Sequence, residues 1–391
     1  MACDLHAHSY FSDGSLSPTE LVKEAVKENV AAVALTDHNT TKGLPEFLSA
    51  AADFGVVGVA GTELSTDYGD AELHIVGLFL PESSYAAIEE RVLVLQKNKE
   101  VSNLILCENL RKGGYDITVE EAKASSQTGF VNRAVIASVL MKKGYVPSVS
   151  AAFDTLLKKG GGFYDEPKRL DALETVKFLK DLGAAVVLAH PFLSLDEDGL
   201  REFLTKAVPL GLCGMETEYS TFTAEQTAKA KQIAAEFGLL ESGGSDFHGK
   251  NKPHIRLGKG EGNLCIPDAF YLSLRACAKG NLREMKLKSD PFAKIAAGEK
   301  TVELRLYDEK RRQIQTGDLI RFTEQQTGKT LFVKVTGVKT FASFQELYAA
   351  YDKQRLGYGA DEIALPEDME QYYSAEEMQK FGVVGIEIEL V

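Results

Sequence analysis

Ser17-Pro18-Thr19-Glu20-Leu21-Val22-Lys23-Glu24-Ala25-Val26, followed shortly by Ala31-Ala32-Val33-Ala34-Leu35-Thr36, is the stretch on which the fold turns. Ser17 fits an N-cap, Pro18 a first helical position that needs no N–H, and Glu20 a capping box. Leu21, Val22, Ala25 and Val26 then recur at the helical period and predict one apolar face. Ala31–Thr36 is a short unbroken apolar run, the signature of a strand buried on both faces. A helix leading into a buried strand is the repeating unit of an α/β domain with parallel strands. Similar runs recur at 56–61, 73–80, 184–189, 213–218 and 239–243, so residues 1–283 are expected to form one such domain.

Two stretches break this rhythm. Between His74 and His190 lie 115 residues with helical periodicity (Ile88, Val92, Leu95; Leu104, Leu106, Leu110), which predicts a helical insertion over about 82–170. From Lys286 to Arg312 eight Lys/Arg face five Asp/Glu, and short strands with Gly turns follow (Gly317-Asp318, Thr327-Gly328). A separate small β-rich domain is expected over 284–391, after a linker near Gly280.

Composition narrows the function classes. The 391 residues are 44% hydrophobic and 26% charged, ordinary for packed domains. A net charge of −13 opposes bulk binding to a polyanion, so an anionic substrate needs local neutralisation by metals or a basic patch. No apolar run spans a bilayer and no signal-peptide pattern opens the chain, which predicts a cytoplasmic protein without a membrane partner. Five scattered cysteines offer neither a disulfide framework nor a CxxC site and are expected to be buried thiols. Nothing in the sequence points to a protein partner.

Six of the seven histidines stand beside strand ends: His6, His8, His38, His74, His190 and His248. Asp13, Glu63 and Asp246 accompany them. Alternate residues on a strand share a side, so His6 and His8, or Asp246 and His248, can face one cation. Carboxyl ends of parallel strands converge on one face, bringing distant clusters together. Nine N/O ligands exceed what one ion needs and match two or three divalent ions, with Glu63 or Asp246 as bridge. The thiol-free set suits Mn²⁺, Fe²⁺ or Zn²⁺, availability more than ligand chemistry deciding among them, and manganese or iron is the expectation. Asp4 and Asp37 read as partners that orient imidazoles, and His254 as structural. Singly, His74 also reads as a core histidine and Asp13 as a turn cap, but the bland readings must hold at five separate places together.

The order His6-x-His8-Ser9, Asp13-Gly14, Thr36-Asp37-His38, Glu63, His74, Ala189-His190-Pro191 and Asp246-x-His248 resembles the PHP family, the polymerase and histidinol phosphatase domain, over roughly residues 3–275. The resemblance implies a distorted seven-stranded βα barrel, a di- or trinuclear centre and phosphoester hydrolysis. It assigns His6, His8, Glu63 and Asp246 to one metal, Glu63, His74 and His190 to a second, and Asp13, His38 and His248 to a third. The expected nucleophile is a hydroxide bridging two ions and held by Asp246. Arg133 and Ser9 are the expected phosphate-binding residues, and His190 the candidate leaving-group acid.

Within the insertion, Gly129-Phe130-Val131-Asn132-Arg133, Ala152-Phe153-Asp154 and Gly162-Phe163-Tyr164 resemble the branch acting on nucleoside 3′,5′-bisphosphates and on 5′ ends of short RNA. Ala134-Val135 replaces the usual Pro-His after the arginine, and Lys97-Asn98-Lys99 stands where that branch offers arginine. Lysine binds phosphate as a point charge and lacks the bidentate fork. A phosphatase of a small metabolite such as histidinol phosphate is the rival enzyme, and an RNA-binding protein with a vestigial metal site the rival of another class.

Residues 286–391 resemble the ASCH family, a PUA-like β-barrel, through Phe292 to Gly298, Lys300 to Arg305, Thr316-Gly317-Asp318 and Phe381 to Ile386. That resemblance implies RNA or nucleotide binding. Lys300 matches the lysine of small hydrolytic members, but Glu303 replaces their threonine and disfavours a nucleophilic role. Lys288, Lys300 and Arg305 then read as an RNA-contacting patch or as a solvated basic face.

Overall fold

A computed structural model describes residues 2–126, 131, 133–158, 163–165 and 167–391. Gly129, Phe130, Asn132 and Gly162, quoted above for the insertion, lie outside them. The first sheet contains β1 (Ala2–Asp4), β2 (Val30–Leu35), β3 (Val57–Tyr68), β4 (Ala71–Leu78), β5 (Leu170–Asp171), β6 (Ala185–Leu188), β7 (Leu212–Tyr219) and β8 (Leu240–Gly244). Its order is β1-β2-β3-β4-β6-β7-β8, with β5 a short side pairing on β3. Hydrogen bonds from Leu5 N to the Gly243 carbonyl (3.1 Å), Asp246 N to the His6 carbonyl (2.9 Å) and His8 N to the Phe247 carbonyl (2.9 Å) close β8 onto β1. The closure needs Gly244, because a Cβ there would meet the His6 Cβ at 2.2 Å. The result is the expected seven-stranded barrel. Its distortion is β4, antiparallel to both β3 and β6 while all other barrel pairs are parallel.

The opening helix, Pro18–Glu28, starts with the Ser17 cap and the reciprocal Glu20 contact. It buries Leu21, Val22 and Ala25, whereas Val26, expected on the same face, lies at the helix end and is exposed. The insertion forms Tyr85–Lys112, Val119–Ser125, Arg133–Lys142 and Val149–Asp154. It carries its own core, in which Leu106, Leu110, Ile136, Leu140 and Leu157 pack together. Leu104 points to solvent instead. Of the cysteines only Cys3 and Cys107 are buried; Cys265 is exposed, contrary to expectation.

The second sheet is β9 (Leu282–Leu287), β10 (Val302–Leu306), β11 (Leu319–Glu324), β12 (Thr330–Phe341) and β13 (Val383–Leu390), in the order β10-β13-β12-β11-β9. All pairs are antiparallel except β9 with β11. β9 begins at Leu282, so the strand straddles the expected boundary at 283/284. Arg321 on β11 donates to the carbonyls of Gly238 (3.0 Å) and Leu239 (3.4 Å), fastening this sheet to the barrel just before β8. No helix among the described residues is long and apolar enough to cross a membrane.

Candidate metal centre

All nine predicted ligands converge at one end of the barrel. His6 and His8 follow β1, His38 follows β2, Glu63 sits on β3, His74 on β4, His190 follows β6, and Asp246 and His248 follow β8. Asp13 comes from the loop after His8, where a Cβ at Gly14 would meet the His8 carbonyl oxygen at 2.4 Å. Glycine is therefore required for that turn to close.

Glu63 is fully buried at the centre, and its two oxygens face different partners. Oε1 lies 2.9 Å from His74 Nδ1 and 3.1 Å from His190 Nε2. Oε2 lies 3.0 Å from His38 Nδ1, 3.2 Å from His6 Nε2 and 3.4 Å from His8 Nε2. Asp246 Oδ1 stands 3.2 Å from His8 Nε2 and 3.7 Å from His6 Nε2. Asp13 Oδ1 stands 3.1 Å from His248 Nε2. Four groups have ligand atoms close enough for one ion: His6, His8 and Asp246; His6, Glu63 and His190; His38, Glu63 and His74; and His8, Asp13, His38 and His248. Glu63 Oε2 and His38 Nδ1 are buried with no hydrogen-bond partner. A buried carboxylate oxygen facing ring nitrogens without hydrogen bonds is costly unless a cation joins them, so the donor set fits divalent metal.

The ionisation states agree with that fit. Burial alone pushes Glu63 up, but His6, His38 and His74 hold it well below the usual carboxylate range. Asp246 and Asp13 are likewise depressed, burial being outweighed by His8 and His6 for the first and by His248, His38 and His8 for the second. Burial lowers His38 to about 3, helped by the neighbouring His8 and His74, so its ring is neutral and ready to ligate. His74 rises to about 10 because Glu63 and Glu72 outweigh its burial. Its proton must leave before a metal enters.

Several residues missed in the sequence hold the ligands. Glu216 on β7 accepts from His6 Nδ1 at 2.8 Å and from the His190 backbone N–H at 2.7 Å. This contact fixes the His6 tautomer with the Nε2 lone pair facing the cluster. A buried carboxylate in the apolar strand Cys213–Glu218 was the available signal. Glu216→Gln is expected to weaken metal binding about 10- to 100-fold, since an amide N–H₂ facing Nδ1 forces the other tautomer. Metal titration of the folded variant checks this. Asp4 and Asp37 do not orient imidazoles as expected. Asp4 accepts from the backbone N–H groups of His6, Ser245 and Gly258 and pins β1 to the β8 loop. Asp37 accepts from Ser9 N, Ser9 Oγ and Ser12 Oγ at 2.6–2.7 Å.

Two further expectations need correction. Ser9 is fully buried with its hydroxyl proton given to Asp37, so it shapes the loop and has none left for phosphate. His190 turns Nε2 onto Glu63 in a left-handed backbone (φ 27°). That nitrogen faces the ligand cluster, which removes it as a leaving-group acid.

Arg133 opens the helix Arg133–Lys142 with its guanidinium 4.3 Å from the Tyr164 ring centre and 5.6 Å from that of Phe153. Burial pushes the Lys99 ammonium down, Arg133 adds to this, and Asp13 and Glu72 oppose it. Lys99 of the insertion thus lies within electrostatic reach of both Arg133 and Asp13. In the second domain Lys288 is exposed over Tyr372 (4.2 Å). Lys300 is only 7% exposed and Arg305, partly exposed, lies 2.9 Å from Glu303, so both cations gather around one carboxylate instead of standing free in solvent.

Residues 4–170 match the family model described as the PHP domain. A 5′-3′ exoribonuclease of Haemophilus influenzae is 32% identical over 248 residues, spanning 63% of this chain and 89% of that protein. The chain belongs to the PHP family. This PHP protein is also 31% identical to the phosphoribosyl 1,2-cyclic phosphate 1,2-diphosphodiesterase of Eggerthella lenta, over 64% of the chain and 97% of that protein. A solved structure from Bifidobacterium adolescentis, assigned as a metal-dependent phosphoesterase, superposes with a TM-score of 0.58 at 26% identity, covering 70% of this chain and 95% of that one. Residues 285–391 match the ASCH domain. The PHP barrel is thus a metal-dependent hydrolase of phosphate esters, with an ASCH domain behind it.

Proposed function

We propose that this protein hydrolyses phosphate esters of nucleotides, either taking phosphate from nucleoside 3′,5′-bisphosphates or trimming short RNA from its 5′ end. The observation that supports the choice of a nucleotide is Lys99 of the insertion, whose ammonium feels both Arg133 and Asp13 of the nine-group cluster. A second phosphate, absent from simple monoesters, is what such cations would bind. The aromatic rings of Tyr164 and Phe153 beside Arg133 restrain the guanidinium by cation–π contact. Two or three divalent ions, manganese or iron before zinc, when bound lower the pKa of a ligated water to about 7 and neutralise the phosphoryl oxygens. His6, His8, Asp246 and Glu63 would hold one, Glu63, His74 and His190 a second, and Asp13, His38 and His248 a third. Glu63, whose two oxygens face different histidines, would serve the first two, and Glu216 keeps His6 in the ligating tautomer. Asp246 keeps Oδ1 towards the cluster because Tyr219 and Lys252 take Oδ2.

The test is hydrolysis with Mn²⁺, Fe²⁺ or Zn²⁺, read as released phosphate or, for the diesters, as the monoester product, on a panel: a nucleoside 3′,5′-bisphosphate, a 5′-phosphorylated oligoribonucleotide, a phosphoribosyl cyclic phosphate and histidinol phosphate. The two nucleotides are expected to give the highest kcat/KM, and Arg133→Ala to raise their KM about 10- to 100-fold. Preference for histidinol phosphate or the cyclic sugar phosphate overturns the reading, as does tight RNA binding without release. A second reading concerns a cavity of about 490 Å³ in the ASCH domain, lined by Lys288, Lys300, Glu303, Arg305, Tyr358 and Tyr372. Its size and aromatic walls suit one nucleotide unit rather than a long phosphate backbone. On that reading Lys288→Ala raises KM for the oligoribonucleotide and leaves the bisphosphate unaffected.

A further inference from the structure

After β8 the chain turns through Ser245 to Lys252 and comes back over the cluster. Asp246 adopts a left-handed conformation (φ 54°), and His248 Nδ1 donates to the Asp246 carbonyl at 2.8 Å. Lys252 N donates to the Gly249 carbonyl at 3.2 Å, which folds the lysine back. The loop is tied to the Asp13 segment by Asn251 Nδ2 donating to the Asp13 carbonyl and Lys250 N to Ser15 Oγ, both at 2.7 Å. Lys252 Nζ therefore reaches Asp246 Oδ2 at 2.6 Å, on the carboxylate whose other oxygen faces His6 and His8.

We propose that Lys252 binds the substrate's phosphoryl group at the metal cluster, with its ammonium docked on Asp246. An ammonium has three N–H donors, and Asp246 takes one. The Lys252 side chain is 39% exposed, so the remaining donors face solvent beside the cluster. Asp246 Oδ2 does not need the lysine for its own satisfaction, because Tyr219 OH already donates to it at 2.7 Å. A partly exposed ammonium held on Asp246 beside the ligand cluster is placed to meet an arriving anion. This inference rests on the phosphoesterase reading of the cluster and names a residue that the sequence did not single out.

The experiment uses the full-length protein loaded with Mn²⁺, inorganic phosphate as the probe, and Lys252→Met, Lys252→Arg and Tyr219→Phe. Bound metal is counted by elemental analysis and phosphate affinity is measured by calorimetry. Lys252→Met is expected to keep the wild-type metal content and to weaken phosphate about 10- to 100-fold, the scale of one charge-assisted hydrogen bond. Lys252→Arg should recover most of that loss, and Tyr219→Phe, which also loosens Asp246 but removes no cation, should cost phosphate affinity less than Lys252→Met does. Unchanged phosphate affinity in Lys252→Met overturns the proposal. So does a loss that tracks lost metal, or one that Tyr219→Phe reproduces, because Lys252 would then only hold Asp246. If Lys252→Met does not fold, Lys252→Gln carries the same comparison. Failure of the metal-loaded wild type to bind phosphate, by contrast, counts against the reading of the cluster itself.

Discussion

Glu63→Gln is expected to lower turnover at least about a thousandfold and to remove more than one metal ion per chain. Glutamine keeps the volume and one acceptor oxygen, so the substitution isolates the charge. In the native site Oε1 faces His74 and His190 while Oε2 faces His6, His8 and His38. No other carboxylate among the described residues meets five of the candidate histidines. An amide in its place turns an N–H₂ donor onto one of these sets, where ring lone pairs are needed for cations. With no negative charge between the imidazoles, two closely spaced cations also lose their shield against mutual repulsion. The depressed ionisation of Glu63 shows how strongly that charge is held by its neighbours. Elemental analysis and phosphate release on the folded variant decide the matter. Full metal content with wild-type turnover would refute the bridging assignment.

Much of the centre was legible because all the ligands but Asp13 sit on a strand or shortly after one, and short apolar runs advertise strands. His6 and His8, two residues apart, and the pair Asp246 and His248 could be read from strand periodicity alone. What stayed hidden depends on chain direction and on return contacts. β4 runs antiparallel inside a barrel whose other strands are parallel, yet its apolar run, Leu73 to Leu80, looks like theirs. Lys252 reaches Asp246 only because the loop after β8 folds back, and no spacing rule encodes that. Ser9 stood beside His8 and read as a phosphate ligand, but the backbone aims its hydroxyl at Asp37. Lys300, as a member of a solvated basic face, looked like surface charge within a basic stretch. Burial around Glu303 reverses that reading, and burial is a property of the folded sheet rather than of local composition.

Stripping the metal is expected to abolish phosphate release and to lower the melting temperature, both restored by Mn²⁺. An ion present at a hundred times its Kd adds about 2.7 kcal/mol of stability. Two such ions add about 5 kcal/mol, on the order of 10 °C for a domain of this size. Metal binding should also strengthen steeply with pH. A ligating imidazole must be neutral, so each protonated histidine that enters coordination releases one proton. His74 is raised to about 10, as Glu63 and Glu72 outweigh its burial, and His6 is raised well above its ordinary value by Glu63 and Glu216 against its burial. His74 is therefore protonated at pH 6–8 in the metal-free protein, and the upward shifts of His6 and of His248, the latter through Asp13 and Asp246 against its burial, favour their protonated forms as well. His38, lowered to about 3 chiefly by burial, is already neutral there and releases nothing. Glu63, Asp246 and Asp13 are depressed and already ionised across the same window, so they release nothing either. With one or two protons lost, the half-saturating Mn²⁺ concentration should fall about 10- to 100-fold for each pH unit between 6 and 8. Calorimetry in buffers of different ionisation enthalpy counts the protons directly. Metal affinity that is flat across this window would mean that His6 and His74 are neutral before the ion arrives, and that Glu63 is not the charge the cluster is built around.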